Sequence, residues 1–158
     1  MNRAFLSAIA VLVALAALVA GCGGGDDTTD ETVTLTKAEF IKQGDAICKQ
    51  GNKEIEEGFE EFAEENDVPK NQEPSKDQGV EIVETVILPN VQQQADEIRE
   101  LGAPEGDEEQ VDELVTSLED AVAEGEDDPE ILFNDDTDPF AKVNQQATAY
   151  GFKVCGEE

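Results

Sequence analysis

Residues 35–66, LTKAEFIKQGDAICKQGNKEIEEGFEEFAEEN, place the strongest constraint on the fold. Their apolar and small positions, from Phe40, Ile41 and Gly44 through Ile47, Cys48 and Gly51 to Ile55, Gly58, Phe59 and Phe62, recur at helical pitch. They fall within an arc of roughly 120°, a spacing that a strand with its period of two cannot bury on one face. Thr36 and Glu39 stand as a capping box at the start, with Leu35 and Phe40 at the flanking staple positions. Gly44, Gly51 and Gly58 repeat every seven residues on the same face. Each costs about 1 kcal/mol against alanine in a helix. Two readings follow: a packed neighbour approaches the backbone closely, or the helix bends or breaks near Gly58.

The same logic extends along the chain. Residues 66–75 contain two prolines and form a linker, after which Ser75 and Gln78 repeat the capping-box spacing. Val83, Val86, Ile87, Val91, Ile98 and Leu101 then keep helical spacing. Pro89 is expected to kink or split this helix, because the Thr85 carbonyl loses its amide partner. Gly102 and Pro104 stop it. A third helix follows Asp107, with Gln110 completing another cap box. Val111, Leu114, Val115, Leu118, Ala121 and Val122 form its stripe, and Gly125 closes it. Residues 126–137 form an acidic loop with one helical turn at Pro129–Phe133. Asp138 and Pro139 serve as N-cap and first residue of a last short helix. That helix would present Phe140, Val143, Ala147 and Tyr150 before Gly151 ends it. Alternation at period two is confined to ETVTL, residues 31–35. The expected fold is all-α: a small bundle of about four helices over residues 35–158.

What precedes that domain concerns its address. Arg3 stands ahead of an unbroken run of apolar and small residues from Ala8 to Gly21. At about 1.5 Å per residue the run is marginal for a bilayer core of about 30 Å, and acids rather than basic residues follow it. A charged start, an apolar middle and small residues at the end describe an export signal. Val19-Ala20-Gly21-Cys22 resembles the lipobox of bacterial lipoproteins, with Val19 in place of the commoner leucine. The resemblance implies a signal peptide over 1–21, cleavage between Gly21 and Cys22, and a diacylglyceryl group on the Cys22 sulfur. An acidic, glycine-rich tether over 22–34 would then separate membrane and domain. The competing readings are an ordinary signal peptide with a chance cysteine, or an uncleaved anchor helix.

Export makes Cys48 and Cys155 a natural pair, since two remaining cysteines in an exported chain read as a disulfide. Bridging them closes a loop of about 107 residues and stabilises by at most about 4–5 kcal/mol in the chain-entropy model. The alternative is two buried thiols. The stretches FIKQGDAICKQGN, LGAPEGDEEQV and DPFAKVNQQATAYGFKVCG are similar to segments of small, mostly uncharacterised actinobacterial lipoproteins. That likeness covers about a quarter of the chain. It implies a disulfide-tied helical domain and brings no catalytic residue.

The remaining residues bound the chemistry. Acids outnumber bases 39 to 10, and between Asp77 and Ala141 the only basic residue is Arg99. Such a surface repels nucleic acid and anionic lipid. It reads as a solvated face, with divalent-cation binding in GEDDPEILFNDDTD as the sharper alternative. That loop offers Asp127, Asp128, Asp135, Asp136 and Asp138 but lacks the central glycine and closing glutamate of an EF-hand. Histidine is absent. Ser75 and Ser117, the serines beyond residue 22, are explained by a cap and a helix surface, so no catalytic residue is assigned, and no metal ligand or cofactor. Asn90, Gln92, Gln93 and Gln94, with Asn144, Gln145 and Gln146, either line a small-ligand groove or cover exposed helix faces. The expectation is a non-enzymatic lipoprotein held outside the cytoplasmic membrane through Cys22. It would meet a protein or cell-wall partner; the alternative is a small-ligand or divalent-cation binding module.

Overall fold

A computed structural model describes residues 34–69, 72, 74–133 and 137–156. The signal segment 1–21 with Gly21, the lipidation position Cys22 and nearly all of the tether lie outside the described residues, as do Asp135 and Asp136. Among the described residues there are four helical runs and no strand. They are α1 (Lys37–Glu65), α2 (Lys76–Ile82) continuing into α3 (Leu88–Glu100), α4 (Glu108–Asp127) and α5 (Ala141–Tyr150). A 3-10 turn at Pro129–Phe133 bridges α4 toward α5. The protein is an all-α bundle with one disulfide. None of the described helices is long and apolar enough to cross a membrane.

Both capping boxes form. The Thr36 hydroxyl accepts the Glu39 amide at 3.3 Å while the Glu39 carboxylate accepts the Thr36 amide at 3.0 Å. Ser75 and Gln78 repeat the exchange at 3.4 and 2.9 Å. Each pair satisfies amides that a helix start leaves without partners.

Helix α1 runs unbroken through its three glycines, because each receives a side chain from another element. A β-carbon on Gly44 would lie 2.4 Å from the Phe152 ring, one on Gly51 2.2 Å from the Gln94 amide, and one on Gly58 2.6 Å from Val86. Close approach is therefore the correct reading of the heptad spacing, and the break near Gly58 does not occur.

Pro89 neither splits nor ends its helix. The turn Val83–Ile87 widens to π-helical pitch, and the Leu88 amide donates to the Val83 carbonyl five residues back. A widened turn shifts the hydrogen-bond register so that a residue without an amide proton enters at the start of α3.

Helix α4 packs on α3, α3 on α1, and α5 on α4. The main core joins Phe40 of α1, Ala95 and Ile98 of α3, Leu114 and Val115 of α4, and Val143 and Ala147 of α5. Val83, Leu88 and Val122 form a second cluster. Two boundaries and one capping bond depart from expectation. Gly125 does not close α4; it is buried inside it, where a β-carbon would meet Leu88 at 2.8 Å. Asp138 caps a turn rather than the helix, accepting the Phe140 amide at 2.8 Å, so α5 starts at Ala141. Asp107 is the N-cap residue of α4, yet its side chain makes no capping bond. It is drawn instead to Tyr150 and Lys37.

Candidate functional site

Helix α5 approaches α1 with Phe40 against Tyr150, their ring centres 5.9 Å apart and edge to face. Phe152 from the tail joins both rings, at 5.9 Å from Phe40 and 5.5 Å from Tyr150. Beyond Tyr150 the tail crosses α1. The Asp45 carboxylate accepts the amides of Lys153 at 2.9 Å and Val154 at 2.8 Å. Cys155 is bridged to Cys48, 107 residues away in sequence. Three ties of different chemistry thus fasten one end of α1 to the C-terminal segment. The free thiols weighed as an alternative are not there.

A fourth tie lies beside them. The Tyr150 hydroxyl donates to Asp107 at 2.9 Å, the Lys37 ammonium lies 3.2 Å from the same carboxylate, and that ammonium sits 3.8 Å over the Tyr150 ring. The donated hydroxyl bond, with Lys37 beside it, holds the Asp107 carboxyl below its ordinary range. Burial and the Asp107 charge push the Tyr150 hydroxyl far upward, so it remains a donor.

On the other side of the disulfide the space between α1 and α5 is not filled. A cavity of about 320 Å³ opens there. Its walls are Ile55 from α1, Val91 and Ile98 from α3, Leu114 and Leu118 from α4, and Val143 from α5. The disulfide and Val154 border it on the tail side. Its polar lining consists of Asn52, Gln94, Asn144 and Asp138. Gln94 is buried, and its amide nitrogen donates to Asn90 at 2.8 Å; Asn90 in turn donates to Glu54 at 3.2 Å. Gly51 creates the room for this amide, since a side chain there would collide with it. Asn52 and Asp138 are exposed and mark where the cavity meets solvent. A concave, mainly apolar space open on one side, with a few polar groups in its lining, is the usual form of a small-molecule site, at volumes from about 300 Å³ upward. No hydroxyl, imidazole or amine is among these lining residues. The lining offers dispersion contacts and amide hydrogen bonds rather than a nucleophile paired with a base.

Of the polar residues singled out in the sequence, Gln94 and Asn144 reach this cavity. Gln92 and Gln93 pair along their own helix with Asp96 and Glu97, and Gln146 donates to Glu113 of α4. Asn52 and Asp138 were missed as cavity residues. Asn52, four residues after Cys48 and three before Ile55, sits at the edge of the apolar stripe of α1, where a polar residue reads as a boundary position.

A second, acidic cleft of about 400 Å³ lies toward the far end of α1, between Glu54, Glu61 and Glu65 on one side and Thr85, Asn90 and Gln93 on the other. In the acidic loop, Asp128 accepts the Glu130 amide at 3.2 Å and Asp138 that of Phe140. Among the described residues no group of three carboxylate or thiol side chains is placed to hold a metal ion. Ser75 is a helix cap, and Ser117 is buried on α4 rather than lying on its surface.

Compared with known families, curated proteins and solved structures, the chain matches none.

Proposed function

We propose that this chain is a bacterial lipoprotein acting as a non-enzymatic binding module on the outer side of the cytoplasmic membrane. Residues 1–21 direct export, cleavage falls between Gly21 and Cys22, and acylated Cys22 anchors the helical domain through its tether. Two acyl chains make such anchoring stable where one gives only marginal binding. The observation that supports this reading is the Cys48–Cys155 bridge within the helical body. Such bridges persist in oxidising compartments, and this one employs both other cysteines without calling on Cys22. The acidic surface directs the module toward protein or cell-wall partners rather than nucleic acid. Cys22→Ala tests the anchor. It is expected to abolish incorporation of labelled fatty acid and to leave an unprocessed precursor or release the protein into the medium. Unchanged labelling would overturn the reading.

The cavity beside the disulfide favours a second reading, in which the module binds a small molecule. Its divalent-cation form has less behind it, because among the described residues no three carboxylates are placed together to hold a metal ion.

A further inference from the structure

We propose that the cavity between α1, α3, α4 and α5 takes a small apolar amine in its cationic form. This rests on the small-ligand reading and names its ligand class. The volume decides the size. An engineered cavity of about 150 Å³ holds benzene, so about 320 Å³ accommodates a bicyclic body with a short head group. The walls decide the body: the side chains of Ile55, Val91, Leu114, Leu118 and Val143 offer dispersion contacts and no hydrogen bonds.

The edge decides the charge. Among the described residues no lysine or arginine lines the cavity, so a carboxylate or phosphate entering it would lose its hydration with no compensating cation. Among the described residues Asp138 is the one charged member of the lining, and it is exposed at the solvent side. One of its oxygens accepts the Phe140 backbone amide, which fixes the carboxylate at the cavity edge, and Phe140 also lines the cavity. A carboxylate at the mouth of an apolar space suits an ammonium group by charge, and the Phe140 side chain in the same lining can add cation–π attraction. The amides of Asn52 and Asn144, also in the lining, can accept its N–H groups. The excess of 39 acids over 10 bases raises the local concentration of cations.

The test uses three matched probes: 2-naphthylmethylammonium, 2-naphthylmethanol and 2-naphthoate. Each is titrated by equilibrium dialysis against the full chain in zwitterionic lipid nanodiscs, with empty nanodiscs as the blank. The amine is expected to saturate, to bind about threefold or more tighter than the alcohol, and to exceed the naphthoate by about tenfold or more. Methyl resonances of Ile55, Val91, Leu118 and Val143 should shift, while those of Ile41 and Val80 stay in place. Asp138→Asn keeps an oxygen for the Phe140 amide and should reduce the amine to the alcohol's affinity. Equal binding of all three probes at those methyls overturns the amine assignment and leaves the site standing. Saturation by none of them, or shifts elsewhere, removes the site and the small-ligand reading together.

Discussion

The two ends of α1 are built differently. Near its start, Phe40, Asp45 and Cys48 are held by an aromatic cluster, a carboxylate accepting tail amides and a covalent bridge. Toward its end, Glu54, Glu61 and Glu65 face Thr85, Asn90 and Gln93 across an open cleft, and Phe59 is 38% exposed. There the Asn90 amide on Glu54 is the hydrogen bond joining the two sides. The contrast teaches why the tail matters. Helix α5 has only 10 residues against 29 in α1 and packs on α4 rather than on α1, so side-chain and covalent ties fasten the C-terminal segment to α1 where apolar area does not. The cavity lies where those ties stop.

Removing the disulfide should break the contrast most. Cys48→Ser with Cys155→Ser is expected to cost up to about 4 kcal/mol in urea unfolding, with faster amide exchange at Lys153 and Val154. A midpoint unchanged from wild type would show that the noncovalent ties suffice. Adding a methyl at each end comes next. Gly44→Ala pushes into Phe152, which is confined between two rings, and should destabilise by about 1–3 kcal/mol. Gly58→Ala meets half-buried Val86, which can rotate toward solvent. Here a gain of about 1 kcal/mol in helix propensity offsets the crowding, so a net change near zero is expected. Equal losses at the two glycines would erase the claimed difference between the ends.

A smaller loss than that at Gly44 is expected at the Asp107 tie. Tyr150→Phe should cost about 1 kcal/mol by losing a hydrogen bond to a charged acceptor. The pH dependence follows from the direction of the Asp107 shift. Its folded value lies below the ordinary 3.8, so its contribution is complete above that pH and is lost as pH falls through the folded value. The stability gap between wild type and Asp107→Asn should therefore be constant from pH 7 down to pH 5 and close below about pH 4. A gap that widens in acid would contradict the assignment. Melting temperatures of the pair across this range provide the check.

Much of this fold was legible beforehand, and for a local reason. Capping boxes and amphipathic stripes act within one or two turns, so Thr36 with Glu39, Ser75 with Gln78, and the stripe from Val111 to Val122 appear where their spacing places them. The departures share a different cause. Asp107 was read as a cap because Gln110 lies three residues on, but Tyr150, 43 residues away, offers it a stronger partner. Pro89 is expected from sequence to kink or split its helix; the helix is distorted into a widened turn and not split, and that widening leaves no mark in the local pattern. At the site, chemistry alone marks Gln94 and Asn144 as candidates. Nothing distinguished them from Gln92 or Gln93, which spend their amides on their own helix.

By itself the sequence determined the helices, the inward placement of Cys48 and the acidity of the surface, because periodicity, end-capping and net charge need no knowledge of distant neighbours. Tertiary structure alone decided that Gly44, Gly51 and Gly58 are receptors for side chains, that Asp45 holds the tail, and that a gap remains between α1 and α5. Each of these depends on which residues arrive from across the bundle, and contact between distant segments is set by packing rather than by local preference.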